Sequence, residues 1–174
     1  MKPQSRGHLP GSFFQDNMKP DRELAERISV LADEIWHECY ASVLPDGQID
    51  YMLRTYHSAE AMLREMSEGY DFVVVRNGGR DVGYYSVHDE GDKLYISKVY
   101  LLKGYRGRGL GNLMFEEIDA YARRHGLGKE YLRVNKGNPT VEIYKRAGFS
   151  ITETVTSDIG NGYVMDDYVM TKML

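Results

Sequence analysis

The sequence predicts a mixed α/β fold in a single domain, in which helices flank a mostly antiparallel central sheet. Three observations indicate this. Apolar residues first recur with a helical period, and two apolar runs then flank an Asn-Gly turn. Later a strand, a glycine-rich loop and an amphipathic helix lead into a short strand. Because a strand–helix–strand unit normally makes a right-handed crossover, its two strands should lie parallel.

The first elements are predicted to be helices. Asp21 is a suitable N-cap for a helix that ends near Tyr40. The apolar residues of this helix fall on one face, at steps of three and four: Leu24, Ile28, Leu31 and Ile35. Two shorter helices should follow, over residues 49–56 and 58–68, the second ended by Gly69. A weakly signalled strand at 12–18 should precede all three helices.

Beyond Gly69 the apolar period changes to that of a strand. Runs at 72–75 and 82–87 flank Asn77-Gly78-Gly79, which predicts a hairpin, and a third strand at 94–101 completes an antiparallel meander. The remaining predicted elements follow in order: helix 110–125, strand 131–134, helix 139–147, and strands 149–156 and 163–173.

Composition limits the class of protein. The 174 residues carry a formal net charge of −4, which disfavours a nucleic-acid partner. Cys39 has no second cysteine to pair with, which indicates a reducing, cytoplasmic location. Since no apolar stretch approaches the ~20 residues of a membrane span, no membrane partner is expected. Residues 1–11 have no pattern and are expected to be a flexible leader before a domain over 12–174.

A glycine-rich segment carries the strongest functional signal. Arg106-Gly107-Arg108-Gly109-Leu110-Gly111-Asn112 lies between a strand and an amphipathic helix. Glycines let the backbone approach a ligand, amides at a helix N-terminus bind phosphate, and the arginines add cationic donors. No Gly-Lys-Ser/Thr follows, which excludes a P-loop, and Asn112 stands where a dinucleotide fingerprint needs its third glycine. The segment therefore predicts a phosphate or pyrophosphate site.

The Arg-x-x-Gly-x-Gly pattern resembles the pyrophosphate-binding signature of the GCN5-related N-acetyltransferases, the GNAT superfamily. The stretch from Asn138 through Tyr144 to Gly148-Phe149 is similar to that superfamily's Asn…Tyr…Gly-Phe segment. The resemblance covers residues 12–174. Three finer features resemble a bacterial branch that includes spermidine/spermine N-acetyltransferases: Tyr51-Met-Leu53, Lys98-Val-Tyr100 and the stretch Asp158–Asp167.

This resemblance implies acetyl-CoA as cosubstrate, bound where the parallel pair of strands is splayed. Backbone groups of three consecutive residues would pair with the pantetheine arm: Val99, Tyr100 and Leu101. Six backbone amides would hold the pyrophosphate: Gly107, Arg108, Gly109, Leu110, Gly111 and Asn112. The side chains of Arg106 and Arg108 would lie near its charge. Asn138 would contact the arm or the loop that positions it, and the Tyr144 phenol would lie near the thioester sulfur.

The chemistry of acetyl transfer gives these groups roles. Transfer from a thioester to an amine needs a neutral nitrogen, a donor for the carbonyl oxygen and a proton for the departing thiolate. A backbone amide of strand 94–101 suits the second need. Tyr144 is the predicted catalytic residue for the third, because a phenol can donate a proton.

The general base remains open in the sequence. Relatives that acetylate histones carry a glutamate where Tyr95 stands here, and strand 94–101 has no carboxylate. Deprotonation could pass through water or through a carboxylate elsewhere: Glu34, Glu38 or Asp167. Asp166 and Asp167 are adjacent, so they should point to opposite sides of a strand.

The function expected is an acetyl-CoA-dependent N-acetyltransferase that works by direct attack in a ternary complex. Residues 98–146 hold eleven Lys and Arg against five Asp and Glu, whereas the segments expected to form the acceptor side are acidic. This favours a small cationic amine such as a polyamine, while an amino sugar or a protein N-terminus remains open, as does a homodimer. The five histidines have no ligand-like spacing, so no metal is expected. The alternative is a non-catalytic acyl-CoA-binding regulatory protein.

Overall fold

The computed structural model describes Phe14–Gln15 and residues 21–174, and this part of the chain forms a mixed α/β fold. The helices are α1 (Arg22–Tyr40), α2 (Gln48–Tyr56), α3 (Ala59–Ser67), α4 (Leu110–Arg124) and α5 (Thr140–Arg146). The strands are β1 (Phe14–Gln15), β2 (Asp71–Asn77), β3 (Arg80–Asp89), β4 (Leu94–Leu101), β5 (Lys129–Asn135), β6 (Ser150–Gly160) and β7 (Tyr163–Met173). The expected leader, 1–11, and most of the strand expected at 12–18 lie outside the described residues.

The first and third helices begin where their capping residues predict. The Asp21 carboxylate accepts a hydrogen bond from the Leu24 backbone N–H at 3.0 Å, and the Ser58 hydroxyl accepts one from the Ala61 N–H at 3.2 Å. Each bond satisfies an amide that has no partner inside its own helix. The predicted N-cap of α1 is therefore confirmed.

The seven strands form one sheet in the order β1-β2-β3-β4-β5-β7-β6. Every neighbouring pair is antiparallel except β4 and β5, which are joined through α4 and lie parallel. The predicted fold class, a mostly antiparallel sheet with one parallel pair, is confirmed. The Asn77-Gly78-Gly79 turn joins β2 to β3 as predicted.

The last hairpin is longer than the sequence indicates. β6 was expected over 149–156, yet it continues to Gly160, paired with β7 along its length. Its side chains are mostly exposed, and β6 is an edge strand of the sheet. Polar exposed residues give no apolar alternation, so the outer part of this strand leaves no pattern in the sequence.

α1 packs against the centre of the sheet and brings aromatic residues beside β4. The apolar face predicted for it is buried, and it contacts both β3 and β4. Near its C-terminal end, the Trp36 ring lies 4.4 Å from the Tyr40 ring and 5.8 Å from the Tyr100 ring of β4. The helix therefore supplies one wall of the opening beside β4.

Candidate active site

The parallel strands separate after a short paired stretch, and a cavity lies in the opening. The β4–β5 ladder joins residues 94–96 to residues 130–132 and ends there, while β4 continues to Leu101 and β5 to Asn135. A cavity of about 470 Å³ opens between them, bounded by both strands, α1, α2 and the β6–β7 hairpin. This is the splayed geometry that the family resemblance implies for the acetyl-CoA site.

A bulge in β4 lies at the point where the strands separate. Ser86 of β3 pairs with Lys98, but the next residue, Val87, pairs with Ile96, so Ser97 is an extra residue in β4. A bulge bends its strand and increases the local twist. The bend explains why β4 leaves β5 here rather than at its end.

Beyond the bulge, every second residue of β4 directs its backbone N–H and C=O groups toward the opening. The Leu102 N–H donates to the Val82 carbonyl oxygen of β3 at 2.8 Å. Because hydrogen-bonded pairs alternate along an antiparallel ladder, the backbone groups of Tyr100 face β3, whereas those of Val99 and Leu101 face the opening. Both backbone groups of Val99 and the N–H of Leu101 thus offer an edge to which an extended amide chain can pair, whereas the Leu101 carbonyl oxygen accepts from Arg106. Tyr100 contributes its ring to the cavity wall.

The glycine-rich loop forms the entry to α4. Gly107 and Gly109 have φ angles of 72° and 84°, in the left-handed region that favours glycine. Gly109 is the N-cap of α4 and supplies no side chain to cap it. Within the described part of the chain, the backbone N–H groups from Leu110 to Asn112 have no backbone acceptor. Free amides at a helix start suit a phosphate group.

The two arginines of this loop have different surroundings. Arg106 donates from Nε to the Leu101 carbonyl oxygen at 3.0 Å and from Nη2 to the Cys39 sulfur at 2.6 Å, so it joins the end of β4 to α1. Arg108 is exposed, with its guanidinium 5.4 Å from the centre of the Tyr105 ring. Arg108 is thus the more available of the two for an anionic group.

Asn138 lies just before α5 and is buried at the cavity wall. Its side-chain oxygen accepts from the Thr140 N–H at 2.9 Å, and its side-chain nitrogen donates to the Tyr40 hydroxyl at 3.1 Å. Its side chain therefore caps α5 and ties that helix to α1. This fits the second of the two roles predicted for it, positioning rather than direct contact.

Tyr144 projects from α5 into the same cavity. Its ring packs edge-on against the rings of Phe115 and Phe149, with centroids 5.7 and 6.3 Å away. Burial raises the pKa of its phenol, an effect that Thr140 and the charge of Arg106 partly oppose. The phenol therefore keeps its proton at neutral pH and is able to donate it.

The carboxylates considered for the general base lie in different places. Glu34 is exposed and forms an ion pair with Arg80 at 2.9 Å, and Glu38 accepts from the Lys103 backbone N–H at 2.9 Å. Neither lines the cavity. Asp167 does, while its neighbour Asp166 points outward to Lys136 at 2.8 Å, so the two side chains lie on opposite sides of β7 as predicted.

Two buried polar residues of the cavity were missed by the sequence reasoning. The Lys98 ammonium is almost fully buried and forms an ion pair with Glu65 of α3 at 2.6 Å. His57 is buried beside Tyr84, its Nδ1 3.2 Å from the hydroxyl, and burial lowers its pKa well below the ordinary value. A signal existed for Lys98, since it follows Leu94 and Ile96 at alternate positions that face the core.

Within residues 21–174 and the two residues of β1, the structure contains no cluster of three His, Cys, Asp or Glu side chains that could hold a metal ion. None of the helices described is long and apolar enough to cross a bilayer.

Comparison with known proteins agrees with this geometry. The chain is 34% identical over 104 residues to an uncharacterised N-acetyltransferase of Mycobacterium tuberculosis, a match that covers 59% of this chain and 66% of that protein. It is 32% identical over 102 residues to the mycothiol acetyltransferase of Corynebacterium glutamicum, covering 58% of this chain and 35% of that one. The chain thus matches less than two thirds of the length of either relative.

Among solved structures, the fold resembles that of the PaiA N-acetyltransferase of Thermoplasma acidophilum in complex with coenzyme A, with a TM-score of 0.76 at 19% identity, covering 92% of this chain and 98% of that one. An aminoglycoside 6′-N-acetyltransferase in complex with coenzyme A gives a TM-score of 0.66 at 15% identity over 93% and 97% of the chains. The Acetyltransferase (GNAT) domain family matches residues 40–171, about three quarters of the sequence. The chain therefore belongs to the GNAT acetyltransferase family.

Proposed function

We propose that this protein is an acetyl-CoA-dependent N-acetyltransferase that acts on a primary amine by direct attack in a ternary complex. The observation that carries the proposal is the opening between β4 and β5, where a free backbone edge and the Tyr144 side chain border one cavity. An inert acyl-CoA-binding protein would need the edge and the loop but not a protonated phenol facing the cavity.

The residues present fit acetyl-CoA as a substrate. The backbone groups of Val99 and the N–H of Leu101 suit the amide groups of the pantetheine arm, since an extended chain can pair there like an added strand. The amides that open α4 suit the pyrophosphate, and Arg108 adds a cationic group beside them. Acetyl-CoA supplies the acyl group, activated as a thioester.

The chain's own groups then serve the transfer. A backbone N–H of β4 near the bulge stabilises the negative charge that develops on the carbonyl oxygen, because a fixed amide dipole needs no reorganisation. Tyr144 donates its proton to the departing sulfur. Cys39 contacts Arg106 outside the cavity, which supports direct transfer without an acyl-cysteine.

The acceptor is proposed to be a small cationic amine, such as a polyamine. The cavity wall combines the rings of Tyr56, Tyr70 and Tyr95 with the carboxylates of Asp158 and Asp167. Aromatic faces and carboxylates both attract ammonium groups. The names of two similar proteins, mycothiol acetyltransferase and aminoglycoside 6′-N-acetyltransferase, support a small-molecule acceptor.

A thiol-release assay with acetyl-CoA tests the activity and the acceptor class together. The acceptors are spermidine, kanamycin, glucosamine and a peptide with a free N-terminus. We expect the highest kcat/KM with spermidine, and a preference for kanamycin or glucosamine would instead favour an amino sugar. Preference for the peptide would overturn the acceptor class, and coenzyme A binding without thiol release from any acceptor would favour the regulatory protein.

Replacing Tyr144 tests the proton donor. Tyr144→Phe keeps the ring packing but removes the hydroxyl, so we expect kcat to fall about 100-fold while the Kd for acetyl-CoA stays within about twofold. Tyr131→Phe is the matched control. The Tyr131 hydroxyl donates to the Glu90 carboxylate, with 2.8 Å between the oxygens, and Tyr131 does not line the cavity. Unchanged kcat in Tyr144→Phe would exclude the acid role.

A further inference from the structure

Acetyl transfer to a cationic amine requires a group that removes a proton from the ammonium, and the structure narrows the choice. An ammonium nitrogen has no lone pair, so it cannot attack a carbonyl carbon until one proton leaves. β4 carries no carboxylate, and the carboxylates suggested on α1, Glu34 and Glu38, do not line the cavity. The group must therefore come from another wall of the cavity.

Three carboxylates line the cavity among the residues described, and two of them are already engaged. Glu65 is bound to the Lys98 ammonium at 2.6 Å. Asp158 is exposed, and its Oδ1 accepts from the Gly160 N–H at 2.9 Å, which shapes the turn between β6 and β7. Asp167 differs from both, because its Oδ1 is buried without a hydrogen-bond donor in the described part of the chain.

The position of Asp167 in the sheet directs it toward the opening. It lies on β7 opposite Asn135, at the end of β5 that has separated from β4. Asp166 beside it faces the other side, where it is held by Lys136 at 2.8 Å and by the Thr156 hydroxyl at 3.2 Å. Alternation along the strand therefore gives the cavity one aspartate and the surface the other.

We propose that Asp167 is the general base, the carboxylate that accepts a proton from the ammonium group of the acceptor. This assignment rests on the proposed function. The first nitrogen proton passes to the Asp167 carboxylate, and the neutral nitrogen then forms the C–N bond as the C–S bond breaks. The sulfur takes the Tyr144 proton, the second nitrogen proton restores the phenol, and Asp167 releases its proton to water.

The electrostatic surroundings of Asp167 suit this role. Burial raises its pKa above that of an ordinary aspartate, and the charge of Asp166 adds to the increase. Arg133 of β5 and Lys136 after it oppose that increase. A carboxylate with a raised pKa is a stronger base, while its unpartnered oxygen is free to accept the proton of a bound ammonium.

The test compares Asp167→Asn with Asp166→Asn, which removes the same charge from the neighbouring position on the other side of β7. Acetyl-CoA is used with whichever of spermidine, kanamycin, glucosamine and the free N-terminal peptide the unaltered protein acetylates best. We expect Asp167→Asn to lower kcat/KM about 100-fold at neutral pH with unchanged coenzyme A affinity. Asp166→Asn should change kcat/KM by no more than about threefold, because Asp166 acts on Asp167 only through its charge.

The pH profile separates a base from a residue that only attracts a cation. Without the base, only acceptor already deprotonated in solution can react, so kcat/KM of Asp167→Asn should rise about tenfold per pH unit below the amine pKa, more steeply than in the unaltered protein. A higher KM with an unaltered pH profile would overturn the assignment, as would full activity of Asp167→Asn. No thiol release by the unaltered protein from any of the four acceptors would overturn the proposed function itself.

Discussion

Arg106 and Arg108 lie two residues apart in the sequence but make different contacts in the structure. Both are cations in the predicted pyrophosphate loop, yet the Arg106 side chain donates hydrogen bonds to the Leu101 carbonyl oxygen and to the Cys39 sulfur. Arg108 has its guanidinium over the Tyr105 ring at the surface. Residue type and spacing alone could not distinguish them, because the Cys39 partner lies 67 positions away in the chain.

Substitution of each arginine should therefore affect a different property. Arg106→Lys keeps the charge but cannot reach both partners, so we expect the free energy of unfolding to fall by about 1–3 kcal/mol. Arg108→Ala should leave stability within about 0.5 kcal/mol and should weaken coenzyme A binding, more so at low salt than at high salt. Urea denaturation and calorimetric titration measure the two effects. Equal stability losses in the two variants would contradict the distinction.

At the scale of elements, the start of α4 is the feature that the sequence predicts best. Its glycines, its apolar stripe and the strand before it all leave local signals, and the structure has the helix begin at Leu110 as expected. The separation of β4 from β5 left no such signal. It depends on the bulge at Ser97, which is defined by pairing with β3 and not by any residue of unusual conformation or type.

The same dependence on contacts between elements explains which residues of the cavity could be predicted from the sequence. Local sequence patterns include Asn138, Tyr144 and the residues of β4, so their place beside one site could be predicted. The Lys98–Glu65 ion pair joins residues 33 apart on a strand and a helix. Contacts of this kind depend on how elements pack, and a periodicity along the chain does not encode which helix will cover a strand.

Gly109 and Gly111 provide a test of the helix start as an anion site. Gly109 has a φ of 84°, and an added Cβ would meet no atom, so Gly109→Ala should cost about 1–2 kcal/mol of stability through backbone conformation alone. Gly111 lies within α4 without a positive φ and also has open space, so Gly111→Ala should gain up to about 1 kcal/mol.

Coenzyme A affinity should fall in both glycine variants despite the opposite changes in stability. Gly109→Ala moves the amides, and Gly111→Ala puts a methyl group where the pyrophosphate is proposed to lie. Thermal unfolding without ligand, followed by titration with coenzyme A, separates the two quantities. If Gly111→Ala binds coenzyme A as tightly as the unaltered protein, the phosphate does not approach this turn.

At the scale of the whole molecule, ion pairs modify the charge distribution that the sequence suggests. The segment 98–146 holds half of the basic residues, but two of its cations are bound to carboxylates from other elements that the structure describes. Lys98 pairs with Glu65, and Lys136 pairs with Asp166. Net positive charge in the sequence is therefore an upper limit on what an anionic ligand meets, and the loop amides have to supply part of the attraction.

One buried cluster should make the stability of the whole fold depend on pH. Glu130 of β5 is fully buried, 3.9 Å from the Lys172 ammonium of β7, which is bound in turn to Asp119 of α4 at 2.7 Å. Burial raises the pKa of Glu130 to about 8, Asp119 adds to the increase, and Lys172 and Arg123 oppose it. With its pKa raised in this way, we expect the Glu130 carboxyl to hold its proton at neutral pH, so that it lies in the core without a full charge.

The sign of the dependence follows from proton binding. An unfolded glutamate has a pKa of about 4.3, so between roughly pH 5 and 8 the folded chain keeps a proton that the unfolded chain has lost. Stability from this group is therefore present at low pH and decreases as pH rises, by at most about 1.4 kcal/mol per pH unit. His57 acts in the opposite direction below about pH 6.5, because it stays neutral in the fold while an unfolded histidine gains a proton.

Glu130→Gln isolates the contribution of this carboxyl, because glutamine keeps the shape and cannot ionise. The free energy of unfolding of Glu130→Gln, relative to the unaltered protein, should increase steadily from pH 5.5 to pH 8, a range set by the raised pKa, when both are unfolded in urea. Glu142→Gln is the control, since Glu142 is an exposed residue whose partner is Lys145, and its difference should not change with pH. A constant difference for Glu130→Gln as well would show that Glu130 is ionised in the fold, held as an anion by Lys172.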